Sequence, residues 1–526
     1  MSDCQSFPAW NSPGILTLRV RISKLALVMT LLLPVLLAAQ NPPQLTLLDP
    51  VPALLSGPMV TTNVNTLATQ GRVVQGSAAD GASELVLRVP AAAVGEQFTF
   101  TVINDQGQQS SSAAEDGGLA AIGSASFTSS QLTVSAVSTS QGPMAFAIYG
   151  APVDFPRPEG QDVNATDRFI SLNVLAIDTG LSSNTQVTLL RPPLGLIHGL
   201  WGSPASWDQF TPLITDPRFS IARANYSAVI GGQIKSYKPA VPSWAASSIK
   251  SAQQNSLGFA YNAPIVLQQL SAFVNEFKTG TNPIGIPVAA VQVDIVAHSM
   301  GGDITRTFPQ VKGFYGNTTL GLGGVHKLIT IGTPHWGSPL APHLLDNNNE
   351  CVRGILATSG SPSFTSVTFK NGTTTTGGVA DLEGDGFGND LSPALQALQN
   401  PISHPLPTAM IQGLESQSQL DGLDTSAVAE SIRILCFTDY LAKHLTSTGW
   451  PEIFNQESDS IVPALSEVAG LTEFTQIDGV IHSASAELLG FGPPAELDAA
   501  GDIPAAVTNL LNTPVTNAVY VGLPQQ

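Results

Sequence analysis

The stretch that most constrains this 526-residue chain is an apolar run, Val291 to Ala297, that passes into Ala297-His298-Ser299-Met300-Gly301-Gly302 and then into Asp303 to Phe308, which can be helical. A serine held in a strained turn between a strand and a helix brings the two elements so close that the positions two before and two after it must be small. Ala297 and Gly301 meet that need. Acyl transfer at such a serine puts negative charge on a carbonyl oxygen, and backbone N–H groups must already point at it. Met300, next after the serine, would supply one. A second apolar run, Leu194 to Ile197, leads into His198-Gly199-Leu200-Trp201-Gly202. The Leu200 amide is the candidate for the other donor, with Gly199 letting the backbone approach closely.

The surroundings of these motifs change along the chain. Residues 40–190 are rich in Ser, Thr and Gly and alternate apolar with polar residues, as in Phe98, Phe100 and Val102 or Ile170, Leu172 and Val174. That pattern predicts a β-sandwich-like domain, with further strands at Leu85 to Val89, Leu132 to Val137 and Ala145 to Tyr149. Residues 191–526 instead alternate short buried apolar runs with stretches of helical length, the α/β signature. Here Leu194 to Ile197, Phe219 to Ala224, Val291 to Ala297 and Leu328 to Ile331 predict strands, and Tyr261 to Phe277 a helix ended by Gly280.

Arg19, Arg21 and Lys24 precede an uncharged apolar run from Leu25 to Leu37 and then Ala38 and Ala39. Residues 1–39 therefore read as an export signal cleaved after Ala39, with an uncleaved anchor as the alternative, and the expected location is extracellular or periplasmic. The run is shorter than a spanning helix needs, which argues against a polytopic membrane protein. Removal of Cys4 with the signal leaves Cys351 and Cys436 as an even pair, for which a disulfide is allowed in an oxidising compartment and two buried thiols are the alternative. A net charge of −18 would repel phosphate backbones and excludes nucleic acid as a partner.

Taken together, "HGLWGS" at His198 to Ser203, "VAHSMGG" at Val296 to Gly302 and "IGTPHWGS" at Ile331 to Ser338 resemble the lipases and esterases of the α/β-hydrolase superfamily, bacterial triacylglycerol lipases in particular. Ala297 departs from the usual G-x-S-x-G, as it does in some lipases of that superfamily. The resemblance covers roughly 194–486 and implies an α/β-hydrolase fold with an inserted lid or cap, about 339–450, and a triad in the chain order Ser, acid, His. His482 is the last of the eight histidines and so the implied base. Ser458-Asp459-Ser460-Ile461-Val462-Pro463 is similar to the family's acid loop, which selects Asp459, with Glu457 the close alternative.

What the resemblance implies is hydrolysis of carboxylic esters through an acyl-enzyme on Ser299, with no metal or organic cofactor. The substrate is then an ester or lipid, and contact with a lipid–water interface or a cell surface is open, with no obligate protein partner inferred. Thioester, polyester or amide hydrolysis uses the same machinery, and a catalytically silent surface-binding protein is the alternative outside enzymes. Trp201 and Trp336 flank the motifs and are candidates to line an acyl pocket or to be packing residues. Asp381 to Asp390 sets acidic residues among glycines, which suits calcium or a solvated acidic turn.

Overall fold

In the computed structural model the residues described are 41–414 and 457–524, apart from gaps at 52–53, 57–58, 231, 248, 250–253, 347–349, 359, 460, 484–493 and 499–500. The export-signal expectation and Cys436 lie outside them.

Period-two alternation governs residues 46–190. Its strands are β1 (Thr46–Asp49), β2 (Arg72–Val73), β3 (Gly76–Ala78), β4 (Glu84–Pro90), β5 (Gln97–Ile103), β6 (Gly118–Ala120), β7 (Gln131–Ser135), β8 (Val137–Thr139), β9 (Gly142–Gly150), β10 (Asp167–Ala176) and β11 (Leu181–Leu190). One sheet has the order β8-β9-β4-β1-β2, with β6 added on β9. A shared apolar core holds it to the second sheet: Leu85, Leu87 and Val89 of β4 meet Phe98, Phe100 and Val102 of β5 and Ile170, Leu172 and Val174 of β10. In β10 every second residue is buried, as expected of a sheet with one covered face.

The second half builds a parallel sheet. Its strands are β12 (Leu194–Ile197), β13 (Ile221–Arg223), β15 (Val293–His298), β16 (Val325–Ile331), β17 (Leu406–Leu414) and β18 (Thr475–Asp478), and β19 (Val521–Leu523) lies antiparallel on β17. The order β13-β12-β15-β16-β17-β18 is parallel throughout. All six residues of β15 are buried, because helices cover both faces. On one face Ile295 and Ala297 pack with Val266 and Leu270 of α1 (Phe259–Lys278). On the other, Val296 packs with Val507 and Leu510 of α5 (Ile503–Asn512). The strand order reverses between β12 and β15, and the crevice at the carboxyl ends of strands at such a point is where open α/β sheets bind ligands.

The two halves are joined by backbone. The short strand β14 (Val288–Ala289), just before β15, completes the sheet β14-β3-β11-β10-β5-β7 by parallel pairing with β3. Asp80 Oδ2 accepts from the amides of Val291 at 2.9 Å and Gln292 at 3.0 Å, the two residues that lead into β15.

Between β16 and β17, residues 332–405 carry α3 (Leu340–Leu345), α4 (Glu350–Thr358) and two short strands, Ser366–Phe369 and Thr374–Thr376, that pair with each other. The expected insertion at 339–450 is therefore too long: Leu406–Leu414 is a strand of the parallel sheet. Pro407, Thr408, Gln412 and Gly413 break its apolar run, yet Thr408 and Gln412 are buried with their polar groups bonded to the Leu406 and Ala464 carbonyls. Cys351 is disulfide-bonded. Among the described residues no helix is long and apolar enough to cross a membrane.

Candidate active site

β15 delivers its last residues to a turn in which Ser299 has φ 56° and ψ −136°. A non-glycine residue in the left-handed region is strained and persists only where its surroundings enforce it. The enforcement is visible: the Ser299 amide donates to the Ile331 carbonyl at 2.9 Å, and Thr333 Oγ1 donates to the Ser299 carbonyl at 3.0 Å. A Cβ at Gly301 would lie 2.6 Å from the Ile197 carbonyl oxygen and 2.7 Å from that of His198. Only glycine lets α2 (Met300–Arg306) leave the turn so close to β12.

His482 and Asp459 arrive from the far side of β17. His482 Nε2 lies 2.8 Å from Ser299 Oγ and its Nδ1 2.5 Å from Asp459 Oδ2. Asp459 is fully buried, and its Oδ1 accepts from the amides of Ile461 at 2.8 Å and Val462 at 2.6 Å. Its carbonyl takes the His482 amide at 2.9 Å, so acid and base share one folded loop pair. Glu457, the alternative acid, is exposed, as is Asp478.

The loop after β12 passes against the serine. A Cβ on Gly199 would sit 2.5 Å from Ser299 Cβ and 2.9 Å from its Oγ. His198 is buried and stacked on Tyr226 with ring centroids 4.0 Å apart, and the Tyr226 hydroxyl donates to the His198 carbonyl. Burial pushes the His198 imidazole down to about 4, so a neutral ring donates from Nδ1 to the Gly199 carbonyl at 3.0 Å. Asn255 Nδ2 ties down the Gly202 carbonyl at 2.5 Å. The Leu200 amide thus sits in a braced loop beside Ser299. The Met300 amide opens α2, where first-turn donors have no partner inside the helix.

A cavity of about 620 Å³ opens onto Ser299 and His482 and is walled by Leu200, Trp201, Leu344, Leu356, Val379 and Leu497. Residues 332–405, through α3 and α4, supply much of this apolar wall. Trp201 lines it, but Trp336 is not among the described residues that do. The expectation for Trp336 is corrected: its ring packs against Gly388 and Gly470, positions where a Cβ would lie 3.2 and 2.0 Å from it. The turn at Gly337 (φ 77°) bends the chain directly after Trp336.

Three further residues close the site, of which sequence reasoning placed His298 in the motif and missed the other two. His298 is buried; its Nε2 lies 3.1 Å from the His482 carbonyl and 3.0 Å from Glu496 Oε2. A carbonyl only accepts, so Nε2 carries the proton, and burial, then the neighbouring His482, holds this ring neutral by lowering its pKa well below the usual range. Glu496 and Glu467 are fully buried, and one carboxylate oxygen each of Asp459, Glu467 and Glu496 lie within 4.8 Å of one another. Lone acids in an apolar context carry no motif, so no sequence signal marks the two glutamates.

His298, His482 and Glu496, or the three acids, are the groups among the described residues whose spacing suits a metal ion. His482 and Asp459 already bond each other, and Asp459 accepts two amides besides, which leaves few lone pairs for a cation that takes six or more oxygens. At 381–390 the acidic oxygens serve the chain itself: Asp381 accepts the Phe259 amide at 2.7 Å, and Asp385 Oδ1 accepts those of Phe387 at 2.8 Å and Asn389 at 3.2 Å.

No protein-family model and no curated protein matches this chain. Among solved structures it is similar to the Bacillus licheniformis lipase BlEst2 in propeptide form, with TM-score 0.34 and 14% identity over 61% of this chain and 50% of that one. It is also similar to the phospholipase PlaB of Legionella pneumophila (TM-score 0.32, 11% identity, 62% and 58% covered). A third is an extracellular alpha/beta-hydrolase from a Paenibacillus species (TM-score 0.27, 11% identity, 62% and 100% covered). The chain thus spans half the length of the first and 58% of the second. The architecture on its own is a parallel sheet between helices, with the strained Ser299 turn at the point where the strand order reverses.

Proposed function

We propose that the chain is an exported serine hydrolase that cleaves carboxylic esters, of the lipase or carboxylesterase kind, through Ser299, His482 and Asp459. The observation that carries this reading is the unbroken line from Asp459 Oδ2 through both ring nitrogens of His482 to Ser299 Oγ. His482 takes the serine proton as Ser299 attacks the ester carbonyl, and Asp459 holds the ring's tautomer and stabilises its cation. The amides of Leu200 and Met300 receive the oxyanion. His482 then protonates the leaving alcohol, and water hydrolyses the acyl-enzyme by the same route. A cavity of 620 Å³ is within the usual span for a small-molecule site, about 300–1,000 Å³, and its apolar wall suits an acyl chain. Residues 332–405 act as the cap over that chain, and the sheets of 46–190 as its support. The disulfide at Cys351 favours an oxidising compartment, in line with an export signal at 1–39.

The test is hydrolysis of p-nitrophenyl esters from acetate to palmitate, with and without a triolein emulsion. Ser299→Ala is expected to lower turnover by about 10⁴-fold or more. A wild type no faster than Ser299→Ala removes the enzyme reading. A preference for short soluble esters that ignores the emulsion removes the lipase version and keeps the esterase.

A further inference from the structure

Behind the triad lies a group of carboxyls that the mechanism above does not use. Glu496 is fully buried. Its amide donates to the Ile481 carbonyl at 2.9 Å, so its backbone is bonded to the residue before His482. Its Oε2 receives the His298 Nε2–H at 3.0 Å and lies 3.6 Å from His482 Nδ1. The same His298 donor reaches the His482 carbonyl. Glu496 therefore touches the residue before the nucleophile and the loop of the base at once. Space for its carboxyl is cleared by two glycines at the strand ends, Gly332 and Gly413, where a Cβ would lie 2.3 and 2.2 Å from its oxygens.

The electrostatics decide its state. The titratable groups facing Glu496 are Asp459 and His482 on their loops, Glu467 on the short helix Ala464–Glu467, and His298 at the end of β15. Among the described residues no Lys or Arg pairs with any of the three acids. Three carboxylates in a dry site without a cation cannot all ionise. Asp459 accepts two amides and the His482 N–H. Glu467 takes one amide, that of Gly413 at 2.7 Å, and Glu496 one imidazole. Burial, then the charge of Asp459, pushes both glutamates well above the usual carboxyl range. The protons belong on the glutamates: a proton on Glu496 finds its acceptor in Asp459, with which Glu496 shares a side-chain hydrogen bond, while Glu467 Oε1 is buried without a bonded partner.

We propose that Glu496 is a positioning residue of the triad: an acid that keeps its proton, ties His298 to the His482 loop, and leaves the cluster with one negative charge, on Asp459 beside the imidazole. This rests on the serine-hydrolase reading above. As pH rises far enough to ionise Glu496, a second charge repels Asp459 and the line to Ser299 loosens, so kcat/KM falls on the alkaline side.

The experiment compares the full chain with Glu496→Gln and Glu496→Leu. It uses p-nitrophenyl butyrate between pH 6 and about 10, with rates expressed per Ser299 site titrated by a fluorophosphonate. Glutamine mimics the protonated acid. It is expected to keep kcat within about threefold at neutral pH and to extend the alkaline plateau, whereas leucine lowers kcat by about 10- to 100-fold with KM little changed. Leucine at wild-type kcat per titrated site overturns the proposal, and so does an alkaline limb identical in wild type and Glu496→Gln. Should the leucine variant not fold, that second comparison decides alone. A wild type that does not label takes the serine-hydrolase reading down as well; a wild type that labels and turns over normally, with variants that match it, takes down only the role of Glu496.

Discussion

β15 and β16 carry a buried histidine–carboxylate cluster at each end. At their N-terminal ends, His326 Nδ1 lies 2.7 Å from Asp294 Oδ1 and its Nε2 donates to the Val153 carbonyl at 2.8 Å, while Lys327 Nζ pairs with Asp154 Oδ1 at 2.5 Å. At their C-terminal ends, His298 and Ser299 meet His482, Asp459 and Glu496. The first cluster balances two carboxylates with a lysine and a histidine and joins the parallel sheet to the segment at 153–154. The second has three carboxyls, no lysine or arginine partner among the described residues, a strained serine and a cavity. A buried His–Asp pair is therefore common to the fastening cluster and to the one proposed for catalysis. What separates the two is an unspent lone pair on the ring, a hydroxyl in reach of it, and space for a substrate.

The largest expected effect separates the two histidines. His482→Ala is expected to lower ester turnover on the order of 10⁴- to 10⁶-fold, and His326→Ala to leave turnover per titrated serine within about twofold; steady-state rates on a p-nitrophenyl ester decide. Asp459→Asn should cost about 10⁴-fold in kcat, because the amide favours the wrong imidazole tautomer. At the other end the currency is stability. Lys327→Met removes the nearer of the two cations at Asp154, leaving only His326 Nε2 at 3.7 Å, and should lower the unfolding free energy by about 3 kcal/mol, read from urea midpoints, with turnover per folded molecule unchanged. Gly199→Ala pushes a methyl to within 2.5 Å of Ser299 Cβ, displaces the oxyanion loop and is expected to lower kcat about 100-fold.

The smallest effect is a pH dependence. Desolvation alone would lower the His326 pKa, but Asp294, then Asp154, outweighs it and the net shift is upward from 6.5. A raised folded value means that this stabilisation is complete below the unfolded value near 6.5 and is lost as pH rises through the higher folded one. The stability gap between wild type and His326→Gln should therefore narrow from pH 6 to pH 9. A gap that widens would reverse the assignment of His326 as a charged fastener.

Legibility in the sequence followed the strength of local constraint. β15 and α1 were readable because a buried strand and a 3.6-residue apolar period leave few alternatives: the helix expected over Tyr261 to Phe277 spans Phe259–Lys278, and Gly280 beyond it has φ 114°. The turn at Ser299 was readable because close packing forbids side chains at Gly301. β17 was hidden by its own buried polar residues: Thr408 bonds locally to the Leu406 carbonyl, and Gln412 finds its partner, the Ala464 carbonyl, only through tertiary contact. Trp336 shows that standing beside a motif does not fix where a side chain points. Glu467 and Glu496 were illegible because their meaning arises only when segments far apart in the chain bring three acids within 4.8 Å.

The most direct measurement is the site of covalent capture. A fluorophosphonate incubated with the full chain, followed by digestion and mass mapping, is predicted to leave a single adduct on Ser299 that disappears in His482→Ala and persists in His326→Ala. Ester hydrolysis accompanied by an adduct on another residue, or by labelling of Ser299 that survives His482→Ala at the wild-type rate, would contradict the account.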